Sequence, residues 1–419
     1  MRAAQEGHGK TTALVLSGGG ARAAYQVGVL GAVARIRQDC DADAGNPFPI
    51  ITGTSAGAIN AAALACGADD FDATVADLHA VWENFRAEQV YRADAIGIIR
   101  TGARWLTMLS IGWAVARWRR ARPRSLLDNA PLEGLLQRLV PVERLPRMMA
   151  EGHLQALAIT ASSYGSGLHV TFYDARGDIV PWTRSQRIAL RERIGVPHLL
   201  ASSAIPFVFP AVSLGLPGGP EWFGDGSMRQ SAPISAAVHL GAERVLVVGA
   251  GRMHEPPGRR VVSDGYPSLA QIAGHAMSSI FLDALAADIE RLQRINATLA
   301  LLPPAARSAT SLRPIDVLVI APTQRIDDIA ARHVANLPAP VRTMLRGVGV
   351  SGTAAETGGS ALASYLLFEA PFTRELIALG LADTLARRDA VAGFFGWDRR
   401  AARRSEPEPS TFDLDNRLI

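Results

Sequence analysis

The sequence is poor in cysteine and almost free of lysine. Cys40 and Cys66 are the only cysteines among 419 residues, too few for a disulfide scaffold and typical of a protein kept in a reducing compartment. Lys10 is the only lysine, so nearly all of the 43 basic residues are arginines, and 39 acidic residues leave a net charge of +4. That imbalance is too small to indicate nucleic-acid binding by itself.

The sequence also lacks a long hydrophobic run. Its best apolar stretch, Trp105 to Ala116, covers 12 positions, which is short of the length that spans a bilayer. The first apolar run is interrupted by three glycines and has no small-residue cleavage pattern, unlike a secretory signal peptide. We therefore expect no signal peptide and no transmembrane helix. The expected location is the cytoplasm, with peripheral contact at the inner face of the membrane.

Metal-binding patterns are missing as well. The nine histidines and two cysteines show no spacing that resembles a zinc site, so we expect neither a metal nor another cofactor. Apolar residues, in contrast, make up 48% of the chain. Together with the length, this content is sufficient for a substantial buried core.

Short aliphatic runs bounded by glycine, proline or aspartate alternate with helical stretches. This alternation predicts an α/β fold, a sheet covered by helices. The predicted strands are Thr12 to Ser17, Phe48 to Thr52, Leu154 to Thr160, Leu168 to Tyr173, Arg244 to Val248 and Ile315 to Ile320. The predicted helices are Ala21 to Gln38, Ser55 to Cys66, Phe71 to Phe85, Pro131 to Leu139, Val196 to Ala204, Pro233 to Leu240, Ser268 to Asn296, Gly359 to Ala370 and Pro371 to Arg388.

A serine between two glycines follows the second predicted strand, in the run Gly53-Thr54-Ser55-Ala56-Gly57. A serine at a sharp strand-to-helix turn is held out of the sheet, so its hydroxyl is available to attack a substrate. The N-terminus of the following helix favours developing negative charge. An ordinary glycine-rich turn capped by Ser55 gives the same pattern, and the pentapeptide alone leaves both interpretations open.

Three consecutive glycines, Gly18, Gly19 and Gly20, follow the first predicted strand. Such a loop can aim several backbone N–H groups at one point, which suits an oxyanion or a phosphate equally well. Gly18, Gly20 and Ala23 also satisfy the dinucleotide-binding pattern, with Asp39 at the distance of a ribose-binding acid. However, Asp39 lies in a polar stretch before the next strand and not at its end, which argues against a nucleotide site.

An aspartate clasped by glycines forms the third motif. Glu221 to Ser227 is predicted to be a short strand that ends at Asp225, between Gly224 and Gly226. Glycine on both sides would let the carboxylate approach a hydroxyl closely. An Asp-Gly pair also favours an ordinary β-turn, so this motif too is ambiguous when taken singly.

In this order, the three motifs resemble the patatin-like phospholipase family. They are Gly18-Gly19-Gly20-Ala21-Arg22, Gly53-Thr54-Ser55-Ala56-Gly57-Ala58 and Asp225-Gly226. Ala201 to Pro210 and Pro233-Ile234 also look like the family's bacterial members. The resemblance covers about Thr12 to Gly249. It implies a three-layer α/β fold, a central mostly parallel sheet flanked by helices, with a helical cap insertion and a helical C-terminal extension.

The resemblance also implies roles for individual residues. Ser55 would be the nucleophile and Asp225 its base, without a histidine. Gly53, Gly57 and Gly226 would be the glycines of the nucleophile turn and the acid loop. The oxyanion hole would be formed by backbone around Gly18, Gly19, Gly20, Ala21 and Arg22. Ala23 and Ser227 depart from the family's usual glycine and its usual glycine or alanine, but neither departure removes a reacting group.

These patterns divide the chain into regions. Residues 1–250 are expected to form the catalytic domain, with a basic, tryptophan-containing helical cap inserted at 88–150. Residues 251–402 are expected to be a mostly helical region that completes the fold. Residues 403–419 are polar, contain two prolines and are expected to be a disordered tail.

The inserted segment combines aromatic and basic residues. From Ala95 to Leu127 it contains seven arginines and no acidic residue, a composition that suits the headgroup layer of an anionic membrane. The candidate membrane contacts are Trp105, Trp113, Arg117, Trp118, Arg119 and Arg120. A helical cap packed on the catalytic domain with a solvated arginine rim would have the same composition.

The expected function is therefore that of a serine acyl hydrolase acting on phospholipids or lysophospholipids through an acyl-enzyme. Its partner would be a lipid substrate, with contact to an anionic membrane and no nucleic acid. Three alternatives stay open: a lipid-binding or scaffolding protein without turnover, a lipid acyltransferase, and a Ser-Asp-His hydrolase. The histidines available to the last are His239, His254, His275 and His333.

Overall fold

A mixed sheet forms the centre of the molecule in the computed structural model, which describes residues 10–92, 125–253, 266–347, 349–350 and 357–398. The strands are β1 Thr12–Leu16, β2 Ile50–Thr54, β3 Ala156–Ser163, β4 His169–Ala175, β5 Thr183–Arg184, β6 Arg187–Arg191, β7 Val212–Leu216, β8 Gly219–Asp225, β9 Arg244–Val248 and β10 Asp316–Ile320. Their order in the sheet is β10-β9-β1-β2-β3-β4-β6-β5, and β8 pairs with β3 and with β7.

Five neighbouring strands of this sheet are parallel. β1 pairs with β2 and with β9, β2 pairs with β3, and β10 pairs with β9, all in the parallel sense. β1 and β2 are aliphatic or small and buried throughout, as expected for strands covered on both faces. β4 and β8 add to β3 in the antiparallel sense. The predicted mostly parallel sheet is confirmed.

Helices cover both faces of the sheet. They are α1 Ala24–Asp39, α2 Ala56–Cys66, α3 Phe71–Glu83, α4 Ala130–Leu139, α5 Leu145–Ala150, α6 Val196–Ser202, α7 Ser235–His239, α8 Leu269–Ser278, α9 Ala284–Leu301, α10 Pro304–Ser308, α11 Ile326–His333, α12 Ala339–Gly347, α13 Thr357–Leu366, α14 Ala370–Leu385 and α15 Arg388–Phe395. Short 3-10 turns lie at Gly20–Ala23, Ala87–Gln89, Val142–Arg144 and Val334–Asn336.

The alternation of β1 shows how the three layers form. Leu14 and Leu16 pack into one cluster with α1, α2, α3 and α14. Ala13 and Val15 pack into a second cluster with α7 and α9. Successive side chains of a strand point to opposite faces, so β1 lies between two helical layers. The three-layer α/β fold and its helical C-terminal region are confirmed.

The C-terminal region does more than add helices. Its strand β10 extends the sheet by pairing with β9. In the predicted cap insertion 88–150, α4 and α5 belong to the described part, whereas residues 93–124 lie outside the described residues. All six candidate membrane contacts fall in that range, and the expected tail, 403–419, also lies outside the described residues.

One long helical stretch differs from the prediction. A single helix is expected from Ser268 to Asn296, whereas the structure has α8 and α9 joined by a π-helical turn, Ser279–Asp283. The periodicity continues through the turn, so an inserted residue of this kind leaves no sequence signal. The strands β5, β6 and β7 and the helices α5, α10, α11, α12 and α15 are not predicted from the sequence either, because they are short and partly exposed.

By length and composition alone, the stretch Leu269–Leu301 could cross a membrane. A single such helix is weak evidence, although only 28% of its most apolar window is buried. Its Leu285 and Ile289 pack on the sheet, and the buried Asp288 accepts a hydrogen bond from the Ile234 amide at 3.0 Å. These contacts are those of a helix integrated into the fold.

α1 and α14 pack at unusually short range through two glycines. A Cβ added to Gly28 would lie 2.0 Å from the carbonyl oxygen of Ile377, and one added to Gly380 would lie 2.2 Å from that of Tyr25. Backbone atoms cannot move aside without shifting a helix. The two glycines therefore set the distance between the first and the last large helices.

We predict that Gly28→Ala destabilises the protein by about 1–3 kcal/mol, because the new methyl group overpacks this contact. The control is Gly31→Ala on the same helix, where an added Cβ meets nothing within 4 Å. There the better helix propensity of alanine should be neutral or stabilise by up to about 1 kcal/mol. Urea denaturation of both variants measures the difference, and equal midpoints would contradict this account of the packing.

Candidate active site

Ser55 occupies the sharp turn between β2 and α2. Its backbone has φ 56° and ψ −131°, a strained conformation for a residue with a side chain. The two glycines around it allow close approach: a Cβ at Gly57 would lie 2.5 Å from the carbonyl oxygen of Leu16, and one at Gly53 would lie 2.5 Å from that of Gly57. The turn is therefore a nucleophile elbow in its geometry.

β8 brings Asp225 to the end of β2. Thr54, the last residue of β2, pairs with Thr160 of β3, and Asp225, the last residue of β8, pairs with the next residue, Ala161. β8 thus takes the place beside β3 that a continuation of β2 would occupy. Since Ser55 follows Thr54 directly, the register places the serine and the aspartate next to each other, although about 170 residues separate them in sequence.

Gly226 is required at this junction. A Cβ there would lie 2.1 Å from the carbonyl oxygen of Thr160, so any other residue would push the aspartate loop away from β3. The structure therefore brings together Ser55, Asp225 and the three glycines Gly53, Gly57 and Gly226, as the sequence predicts.

The carboxylate of Asp225 is fully buried. Burial raises its pKa to about 6, against the opposing effect of the neighbouring Ser55 hydroxyl and of the Ser227 amide and hydroxyl. Oδ1 accepts the backbone N–H of Ser227 at 2.8 Å. Oδ2 accepts no hydrogen bond of ordinary geometry from the described residues. Asp225 therefore keeps one oxygen free to receive a proton and titrates close to neutrality.

The C-terminal end of α6 forms hydrogen bonds to both the serine turn and the aspartate loop. The Ser202 hydroxyl accepts the backbone N–H of Ser55 at 2.9 Å. The carbonyls of Ser202 and Ala204 accept the N–H groups of Gly226 at 3.2 Å and Asp225 at 2.9 Å. Sequence reasoning gave Ser202 no role. Its only signal in the sequence is the family-like run from Ala201 to Pro210. That run contains two neighbouring serines and does not indicate which hydroxyl faces the site.

The glycine loop presents its backbone beside Ser55. The Arg22 amide donates to the Gly19 carbonyl at 3.1 Å, so this N–H is already used. The amides from Gly18 to Ala21 donate no hydrogen bond to the described residues. Gly20 lines the same cavity as Ser55 and has φ +56° with a Cβ position 2.3 Å from the carbonyl oxygen of Tyr365, a place that only glycine fills.

Arg22 anchors this loop to the C-terminal helices. Its guanidinium is buried, pairs with Asp327 at 2.5 Å, donates to the Ser364 hydroxyl at 2.8 Å and lies 4.2 Å from the centre of the Tyr365 ring. A side chain that is so fully engaged cannot also bind a ligand. The helices α11 and α13 therefore support the loop from behind.

A cavity of about 510 Å³ opens onto Ser55. Its walls are mostly apolar, with α2 along one side and α3 and α4 along the others. They include Ile59, Ala63, Leu78, Val81, Trp82, Phe85, Leu132, Leu135, Leu136, Ile205, Phe209 and Phe368. A pocket of this size and composition suits an apolar ligand.

Two of the four histidines proposed for a Ser-Asp-His site have other partners. The His239 ring contacts the Ser235 carbonyl at 2.7 Å, and the His333 ring contacts Glu375 at 2.7 Å. His275 is exposed, and His254 lies outside the described residues. In the part of the chain that the structure describes, no group of three or more histidine, cysteine or acidic residues could hold a metal ion.

The sequence matches the family model of the patatin-like phospholipases over residues 14–238. None of the curated proteins matches it significantly. The solved structures that are similar to it include the following two. The crystal structure of VipD from Legionella pneumophila is 12% identical, with 88% of this chain and 67% of that chain covered and a TM-score of 0.30. Full-length ExoU, in the complex with SpcU from the type III secretion system of Pseudomonas aeruginosa, is 16% identical, with 90% and 77% covered and a TM-score of 0.25.

The raised pKa of Asp225 predicts a pH-dependent cost in stability. Below pH 3.8, the pKa of the carboxyl in the unfolded chain, Asp225 is protonated in both the folded and the unfolded state, and above about pH 6 it is ionised in both. Between these values only the unfolded state releases the proton readily. The free energy of unfolding therefore falls by about 3 kcal/mol as the pH rises from 3.8 to about 6. We predict that Asp225→Asn, which carries no charge, stabilises the protein by up to about this amount near pH 8 and much less near pH 4. Denaturant titrations at both pH values measure it.

The control for this prediction is Asp178→Asn, because the Asp178 side chain is fully exposed. This variant should change stability little at either pH. A gain at Asp225→Asn that is equal at both pH values would show that burial of charge is not its cause.

Proposed function

The chain belongs to the patatin-like phospholipase family, and we propose on that premise that it is a serine acyl hydrolase in which Ser55 and Asp225 cleave fatty-acyl esters of phospholipids or lysophospholipids. Membership of the family supports lipid hydrolysis in general. The observation that carries the finer proposal is the adjacency of β2 and β8 on β3, which sets a strained, buried serine beside a buried carboxylate.

The first half of the reaction forms an acyl-enzyme. Asp225 accepts the Ser55 proton as the hydroxyl oxygen bonds to the ester carbonyl carbon, and the carbonyl oxygen takes up the negative charge. The unused amides between Gly18 and Ala21, together with the N-terminus of α2, lie where they can stabilise that oxyanion. Collapse of the intermediate breaks the ester bond, and the alcohol leaves with the proton from Asp225.

The second half regenerates the serine. Water attacks the acyl group while Asp225 accepts a proton from it, and a second tetrahedral intermediate expels the Ser55 oxygen, which recovers its proton. A carboxylate is a weak base for an alcohol. The pKa of about 6 at Asp225 makes it a stronger base than an exposed aspartate while it stays ionised at neutral pH.

Two alternative functions, lipid binding without turnover and acyl transfer, would use the same pocket. A lipid-binding protein without turnover would need no aligned serine and carboxylate, so the intact pair argues against it. A lipid acyltransferase would share every step up to the acyl-enzyme and differ only in the acceptor, an alcohol in place of water. Product analysis separates transfer from hydrolysis.

We predict that a fluorophosphonate probe labels the wild-type protein and that Ser55→Ala abolishes labelling. Asp225→Asn should slow labelling at least a hundredfold, since the base is lost. Ser213→Ala, a serine exposed on β7, is the matched control and should label normally. The same proteins are then incubated with phospholipids, lysolipids and neutral glycerides, and the released acids are identified by mass spectrometry. Equal labelling of Ser55→Ala and wild type would refute the assignment.

We also propose that the segment containing Trp105, Trp113, Arg117, Trp118, Arg119 and Arg120 contacts an anionic membrane peripherally. The proposal rests on its composition, seven arginines with interleaved tryptophans and no acidic residue. A cytoplasmic protein held at the inner face of the membrane fits this composition. The segment is joined to the fold at Arg92 and Ser125, close to the cavity walls formed by Val90, Ile205 and Phe209.

For this segment we predict stronger sedimentation with anionic than with neutral vesicles at low salt. Replacing Arg117, Arg119 and Arg120 by glutamate should remove that preference without changing the labelling of Ser55 by the fluorophosphonate probe. Equal binding to both kinds of vesicle, before and after the replacement, would discard the idea.

A further inference from the structure

One face of α2 is open to the cavity while the rest of the helix is buried. Ile59 and Ala63 are the only residues of α2 that are not fully buried, and both line the cavity together with Ser55 and Cys66. The spacing from 55 to 59, 63 and 66 follows one face of a helix. The cavity therefore runs lengthwise along α2, starting at Ser55.

The far end of this cavity is polar. Beyond Cys66 the lining includes Thr74 and Asp77 of α3 together with Arg138 and Arg144. Asp77 and Arg138 are exposed, so the cavity reaches solvent between α3 and α4. An apolar corridor thus begins at the serine and ends at a polar opening.

The length of the corridor follows from the helix. α2 has 11 residues, about 16 Å at about 1.5 Å per residue. An extended chain of single bonds advances about 1.2 Å per bond. The corridor therefore accommodates about thirteen bonds of a straight chain.

We propose that α2 is a ruler for the acyl chain: a single acyl chain lies along its Ile59–Ala63 face, and the length of this face sets how many methylenes contribute to kcat/KM. The inference rests on the proposed function and adds to it a substrate class, esters of straight acyl chains for which kcat/KM rises with length up to about fourteen carbons. Each methylene buried in the corridor should raise kcat/KM by up to about fourfold. Beyond the polar opening, further methylenes stay in water and add nothing.

The proposal predicts an order of effects for two substitutions. Ile59 lies about 6 Å along the helix from Ser55 and Ala63 about 12 Å, which correspond to about five and about ten bonds of the chain. Ala63→Phe should therefore reduce hydrolysis only of chains longer than about ten carbons. Ile59→Phe should already reduce it for chains longer than about five carbons.

The experiment measures kcat/KM for p-nitrophenyl esters with straight chains from about four to about sixteen carbons, at a fixed detergent fraction. For Ala63→Phe we expect at least a tenfold loss with the longest chains and less than a twofold change with the shortest. The control is Ala76→Phe, an exposed position on α3 that does not line the cavity. An unchanged chain-length profile in both cavity variants, or the reverse order of cut-off, would overturn the ruler.

A second measurement does not depend on turnover. In the Ser55→Ala background, binding of a fluorescent long-chain fatty acid is titrated with and without Ala63→Phe, and we expect at least a tenfold weaker affinity with it. Val81→Phe narrows the corridor from α3 and serves as a second blocking variant if Ala63→Phe does not fold. If the wild-type protein hydrolyses no ester, but Ala63→Phe weakens fatty-acid binding, the proposed function is refuted and the ruler stands. If the wild-type protein hydrolyses esters, but neither blocking substitution changes fatty-acid binding, the ruler is refuted and the proposed function stands.

Discussion

The pairing of β8 with the last three residues of β3 is the constraint on which the site depends. β2 ends at Thr54, opposite Thr160 of β3. Beyond that point β8 pairs with β3 on the same side, runs antiparallel to it and ends at Asp225. Two chain segments that are distant in sequence thereby finish at one point of the sheet. Gly226 makes the approach sterically feasible. The end of α6 ties both segments together, through the Ser202 hydroxyl to Ser55 and through backbone carbonyls to Asp225 and Gly226.

This arrangement holds its reactive groups at a cost to stability. Ser55 adopts a positive φ that a serine rarely takes, and Asp225 keeps a charge in a fully buried place. Neither would persist unless the surrounding structure imposed it. The support comes from several directions: Ser202 beneath the serine, the Ser227 amide on the carboxylate, and the glycine loop braced by Arg22.

Much of the central sheet and the candidate site could be predicted from the sequence, because they are encoded locally. The strand β1 and the helix α2 are short apolar runs with glycines beside them, and Ser55 and Asp225 each lie in a short motif. What could not be predicted depends on contacts between distant segments. The hydroxyl of Ser202, the anchoring of Arg22 by Asp327 and the open face of α2 at Ile59 and Ala63 become visible only when the helices are packed. The π-helical turn and the short edge strands leave no periodic signal at all.

The anchoring of Arg22 has a consequence for biosynthesis. Its partners Asp327, Ser364 and Tyr365 lie more than 300 residues downstream, so a ribosome must make most of the chain before the glycine loop is braced. An unfinished polypeptide emerging in the cell would carry its serine early but lack the support for the amides beside it. The glycine loop can therefore reach its braced conformation only after the C-terminal helices have been made.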